Sequence, residues 1–195
     1  MTPASQDDSP AGAPSTDAYR SVCETHVDFV WRFAATRGVE GTALEYLVRK
    51  VFSVVHGRFS GLEDAAELRV SIASITRNVV RGFLRQIGNR SPLEEPVAER
   101  GGGGHFDLGP VEALSKKSPG QLVDVILEQL SEPEREVFIL CEVEGFSLAE
   151  TATALHVSES TLSLRLREAR RVFNAVSAQL RAELFWKSRD ADGKP

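Results

Sequence analysis

Apolar residues recur along most of the chain at helical spacing and nowhere alternate in the period-two manner of a half-buried strand. The clearest stripe lies in the first half. Leu44, Leu47, Val48, Val51, Phe52 and Val55 fall at steps of three and four, the apolar face of an amphipathic helix. Before it, Val22, Val27, Val30, Trp31 and Ala34 predict a helix from about Asp17 to near Gly38. After it, beyond Gly57 and Gly61, Leu68, Ile72, Ile75, Val79 and Phe83 predict a third helix over 65–86. Three helices around one apolar centre make a small domain.

The periodicity then stops. Residues 88–120 hold several prolines and the run Gly101 to Gly104, the composition of a flexible linker. Helical spacing resumes at Gln121 with Leu122, Val125, Ile126 and Leu130. Ser131, Pro133 and Glu134 then start a new helix: the serine is its cap, the proline sits in its first turn and the glutamate completes a capping box. Val137, Leu140 and Cys141 form its inner face, and Gly145 ends it.

The most informative stretch follows, SLAETATALHVSESTLSLRLREARR from Ser147 to Arg171. Ser147 and Glu150 form another capping box, which starts a helix over 148–155 with Leu148, Ala152 and Leu155 turned inward. Ser158 caps a second helix, in which Leu162, Leu166, Ala169 and Phe173 share a face that can run on through Val176, Leu180 and Leu184. Only His156 and Val157 separate the two, so they cross steeply as a helix-turn-helix, with the small Ala152 at the crossing. The turn favours glycine in a left-handed conformation, and His156 there costs roughly 1 kcal/mol. The expected organisation is all-α: a disordered tail over 1–16, a helical domain over 17–87, a linker over 88–120, a helix-turn-helix domain over 121–187 and a loose tail over 188–195.

Charge sharpens this picture. The net charge is −5, which argues against a general nucleic-acid coat. The distribution says more, because Leu68 to Leu93 contains no acid yet holds Arg69, Arg77, Arg81, Arg85 and Arg90. The second helix of the helix-turn-helix carries Arg165, Arg167, Arg170 and Arg171, cations suited to phosphates or base edges. A helical hairpin whose arginines only solvate one face is the plainer alternative. The caps, the short turn, Ala152 and the arginines together favour DNA-binding ancestry.

Other classes find little support. Cys23 and Cys141 belong to no paired motif, so neither a disulfide framework nor a zinc site is implied. Both are expected to pack as small apolar groups. The start of the chain lacks the basic and apolar regions of a secretory signal, and no run suits a membrane helix, so a cytoplasmic protein with no membrane contact is expected. His26, His56, His105 and His156 each stand apart from carboxylates or cysteines at ligand spacing. The GGGGH run follows no strand and precedes no Gly-Lys-Ser/Thr, so it is not a phosphate loop. The expectation is a non-enzyme with no cofactor and no metal.

In its order of pieces the chain resembles the extracytoplasmic-function (ECF) sigma factors of bacterial RNA polymerase over about residues 18–187. LSEPEREVFILCEVEGFSLAETATALHVSESTLSLRLREARR is similar to that family's C-terminal domain, sigma region 4. Arg135, Val137, Phe138 and Leu140 match its first core helix, Glu144, Gly145 and Ser147 the entry to the motif, and Thr161, Arg165, Leu166, Ala169 and Arg170 the recognition helix. LEYLVRKVFSVVHGRF is similar to the sigma region 2 helix that grips the polymerase β′ coiled coil, and LRVSIASITRNVVRGFLRQ to the promoter-melting segment.

The resemblance implies binding to RNA polymerase core through Leu44, Tyr46, Leu47, Arg49, Lys50 and Phe52, and to promoter DNA through two segments. Arg165 and Arg167 would contact the upstream element, with Thr161 and Ser163 near base edges, Arg170 and Arg171 on phosphates, and Ser160 also among the DNA-binding residues. Arg77, Asn78 and Arg81 would follow the non-template strand.

The departures fall at these same places. Where the family carries Asp, Gln and an acid on the gripping helix, this chain has Tyr46, Arg49 and Lys50. The Thr-Trp pair of the melting segment is Val70-Ser71, and the recognition helix has Ser163, Leu164 and Glu168 in place of a basic, a polar and a second basic residue. Two readings follow: a sigma factor that directs transcription initiation, or a degenerate sigma mimic that binds an anti-sigma protein or DNA without supporting initiation.

Overall fold

The computed structural model describes residues 16–58, 64–87 and 106–192. Among the described residues every regular element is helical, and none is long and apolar enough to cross a membrane. The chain divides into two compact units, residues 1–83 and 84–195.

The first unit is built on α1 (Thr16–Ala35), α2 (Gly41–His56) and α3 (Ala65–Gln86). The predicted stripe of α2 is its core face, with Leu44, Leu47, Val51, Phe52 and Val55 buried. Against it α1 turns Phe29, Val30, Phe33 and Ala34, and α3 contributes Leu68, Ile72, Ala73 and Ile75. This corrects one expectation. Phe29 and Phe33 occupy the inward stripe of α1, and Trp31, about 100° around the helix from Val30, is left 43% exposed. The Tyr19 hydroxyl donates to the Phe52 carbonyl at 2.8 Å, and its ring meets His56 edge-on. Buried Arg37 donates from Nη1 to the Phe33 carbonyl and lies 3.7 Å over the Phe33 ring.

The second unit comprises α4 (Val111–Leu114), α5 (Pro119–Glu128), α6 (Glu132–Phe138) with a widened π turn over Ile139–Val143, α7 (Leu148–Leu155) and α8 (Glu159–Asp192). The spine is α8, against which α4, α5, α6 and α7 all pack. Its inner stripe of Leu162, Leu166, Ala169, Val172, Val176 and Leu180 is buried. Phe138 of α6 stacks on Phe173 at 4.7 Å between centroids. Arg135 donates to the carbonyls of Leu127, Glu128 and Leu130, closing the open C-terminal end of α5.

Both edges of this unit extend beyond expectation. Of the anticipated linker, 88–105 lies outside the described residues, but 106–120 is folded. Leu108 and Leu114 are buried in the core, Phe106 packs on it, and Ser118 opens α5 with a capping box to Gln121. The Gln179 side chain pairs with the Phe106 backbone, accepting from its N–H at 3.0 Å and donating to its carbonyl at 2.8 Å. At the other edge α8 continues through Asp192, past Ser188, where a loose tail was expected. The expected disorder of the first residues falls, up to residue 15, outside the described residues.

Candidate nucleic-acid interface

The site begins where α6 ends. The Glu144 N–H reaches back to the Ile139 carbonyl, and Gly145 adopts a positive φ of 67° that brings the Phe146 N–H to the Leu140 carbonyl at 2.9 Å. A side chain at Gly145 would be strained in that conformation, as at the C′ position of many helices. Buried Phe146 then anchors the entry to α7. Ser147 and Glu150 complete the predicted box: the Glu150 N–H donates to Ser147 Oγ at 3.2 Å and the Ser147 N–H to Glu150 Oε2 at 2.7 Å.

The inward side of α7 is Thr151, Ala154 and Leu155, not the Leu148, Ala152 and Leu155 expected. Leu148 sits at the first turn and is 38% exposed. Thr151 is fully buried, and its hydroxyl is satisfied by the Ser147 carbonyl at 2.8 Å and lies 3.4 Å from the Cys141 sulfur. Burial pushes the Cys141 thiol up, away from the reactive thiolate. Both cysteines are half-buried and unbridged, less enclosed than the sequence suggests. Among the described residues no cluster of histidine, cysteine or carboxylates is arranged to hold a metal ion.

His156 closes α7 in the left-handed conformation the sequence predicts, at φ 55° and ψ 47°. It is the one non-glycine residue with positive φ among those described. Val157 then donates to the Ala152 carbonyl at 3.1 Å, and Ser158 opens α8. The Thr161 N–H donates to Ser158 Oγ at 3.2 Å, and the Ser158 hydroxyl in turn donates to Thr161 Oγ1 at 2.9 Å and lies 3.0 Å from Ser160 Oγ. Ser160 and Thr161, both predicted to bind DNA, are engaged with the capping Ser158.

The predicted cations of α8 divide into two kinds. Arg170 donates from Nε and Nη2 to Glu142 Oε1 at 2.9 and 2.6 Å, and Arg171 forks onto Glu168 at 2.9 and 2.6 Å. Glu168 holds the Arg171 guanidinium above its already high ordinary value. Arg165 is half-buried, with its Nε shielded from solvent and unbonded among the described residues. Arg167 is exposed, as are Ser163 and Leu164 beside it. The sequence reading placed Arg165 and Arg167 on the upstream element and Arg170 and Arg171 on phosphates, and it did not foresee the ion pairs of the last two. The acids that separate them are Glu142, in the widened turn after α6, and Glu168, one turn away on α8.

Residues 120–172 match the family described as Sigma-70, region 4. The match begins in α5 and runs into the first half of α8. It takes in the capped α7–turn–α8, and the folded segment 106–119 precedes the matched region. Among solved structures the chain resembles the sigma factor RpoE of Bartonella quintana, in complex with the anti-sigma factor NepR, at TM-score 0.62 and 19% identity, covering 84% of this chain and 98% of that one. It also resembles CnrH, in complex with the cytosolic domain of CnrY, at TM-score 0.54 and 16% identity, covering 85% and 90%. No curated protein matches the sequence. Region 4 and these neighbours give the chain the fold of an ECF-type sigma factor.

In the first unit, the residues predicted to grip polymerase also separate. Leu44, Leu47 and Phe52 are buried in the core of their own unit. Tyr46, Arg49 and Lys50 are exposed, with Lys50 5.6 Å over the Tyr46 ring and Arg49 3.9 Å from Glu45. The Tyr46 ring lies 6.5 Å from Phe83 of α3. On α3 itself Asn78 is exposed, and Arg77 and Arg81 are half-buried on successive turns.

Proposed function

We propose that the chain is an ECF-type sigma factor, which joins RNA polymerase core to promoter DNA and so directs transcription initiation. The observation that carries this reading is the region 4 helix-turn-helix, held by caps at Ser147 and Ser158, with Ser163, Leu164 and Arg167 open on α8. A helix presented in this way fits the major groove. Asn78, with Arg77 and Arg81 beside it, would follow the melted strand, and the exposed Tyr46, Arg49 and Lys50 would face the β′ coiled coil. The protein would act by binding rather than catalysis, in the cytoplasm where the polymerase works. The test is capture by purified core polymerase followed by run-off transcription from genomic fragments. Capture together with defined transcripts supports the reading; loss of both overturns it.

A second reading is favoured by α2. Cations at Arg49 and Lys50 suit an acidic partner better than a basic coiled coil. The two structural neighbours are described in complex with the anti-sigma factor NepR and with the cytosolic domain of CnrY. A sigma mimic that occupies an anti-sigma protein without initiating would be captured by that inhibitor and would ignore core polymerase.

A further inference from the structure

The open face of α8 is set by spacing. Ser160, Ser163, Leu164 and Arg167 stand at i, i+3, i+4 and i+7, all exposed, opposite the buried Leu162, Leu166 and Ala169. With Ser160 drawn into the cap, three side chains remain to meet a ligand. Leu164, 48% exposed, is the large apolar group of that face.

We infer that Leu164 and Arg167 set the base preference of the recognition helix, Leu164 by covering the 5-methyl group of a thymine and Arg167 by forking onto a guanine. This inference rests on the promoter-reading proposal and adds the bases. An aliphatic side chain can neither donate nor accept, and in the major groove the apolar feature that distinguishes a base pair is the thymine methyl. Arg167 offers the paired donors that match guanine O6 and N7. Side chains three residues apart on a helix stand about 5–6 Å apart. At about 3.4 Å per base pair this places the two bases one or two steps from each other. Glu168, the acid next to this pair, has both carboxylate oxygens engaged by Arg171, so it does not offer a bare charge to the phosphates.

The experiment is selection from a random duplex pool by the full-length protein, repeated with Leu164→Ser and Arg167→Ala. Binding of the selected duplex is then titrated with thymine or deoxyuridine at each thymine position. Wild type should enrich a thymine within two steps of a guanine and lose about fourfold in affinity when that one methyl is removed. Leu164→Ser should bind the two duplexes equally while keeping the guanine, and Arg167→Ala should lose the guanine preference. Selection of a sequence whose thymines can all be replaced without loss overturns this inference and leaves promoter reading standing. Persistence of the methyl effect in Leu164→Ser has the same meaning. Failure of wild type to enrich any sequence overturns promoter reading and this inference together.

Discussion

Arg170 and Glu142 are joined by two hydrogen bonds onto a single carboxylate oxygen, at 2.9 and 2.6 Å, which tie the recognition helix to the widened turn that ends α6. The side chains are 57% and 33% exposed, so the pair adds little to stability, at most about 1 kcal/mol. Its larger effect is to neutralise a cation at the edge of the surface proposed to face DNA. Glu142→Gln should leave the unfolding free energy within about 1 kcal/mol of wild type. It should also raise DNA affinity and steepen the dependence on salt by about one phosphate contact. Arg170→Ala should flatten it. Anisotropy titrations across a salt series check both; identical slopes for the two variants would remove Arg170 from the interface.

His156 holds the turn at φ 55°, where a side chain clashes with its own backbone. Glycine meets no such clash, so His156→Gly should gain about 0.5–1 kcal/mol, the spread reflecting the greater freedom of glycine in the unfolded chain. His156→Val, with its branch at Cβ, should lose about 1–2 kcal/mol. Urea unfolding of the two variants gives the comparison, and equal stability would mean the turn relaxes out of the left-handed region.

Arg135 serves three carbonyls at the end of α5 from one planar fork. Lysine keeps the charge but cannot span them. Arg135→Lys should cost about 1–2 kcal/mol and Arg135→Ala about 2–3 kcal/mol in chemical unfolding. A lysine variant as stable as wild type would show that charge alone closes the helix.

Burial, with Arg69 adding to it, holds the His26 imidazole below its ordinary value and favours the neutral form in the folded protein. In the unfolded chain the ring protonates at about 6.5. Below that value the unfolded state takes up a proton the folded state resists, so stability present at neutral pH is lost as pH falls from about 6.5 toward the lower folded value. His26→Gln should therefore show a smaller drop in melting temperature than wild type between about pH 7.5 and 5.5. Parallel melting curves would assign the acid sensitivity elsewhere.

The helices with strong local signals were legible in the sequence. The box at Ser147 and Glu150, the stripe of α2 and the left-handed turn at His156 each follow from residues within one or two turns. What failed depended on partners far along the chain. Residues 106–114 lie beside a glycine-rich run whose composition overshadows them, and it is the apolar wall built by α5, α6 and α8, with Gln179, that fixes Phe106, Leu108 and Leu114. The serine-proline start at Ser118, with Gln121 three residues on, is the same kind of signal as Ser131 with Glu134 and marks the helix start two residues earlier than expected. The inward side of α7 was misjudged because a helix of 8 residues leaves its polar Thr151 as eligible for burial as its leucines, once that hydroxyl is satisfied. The unequal condition of the arginines on α8 was equally hidden, since Glu142 approaches Arg170 only through the fold.

The pairing of Phe106 with Gln179 determines where a pull on the chain would be felt. Tension drawn through residue 106 arrives at Gln179, fifteen positions beyond Leu164 and so roughly 22 Å further along a continuous helix. The turn that aims the helix lies at its opposite end, secured by separate caps. Strain from upstream is thus delivered to the trailing half of the rod, away from the leading tip.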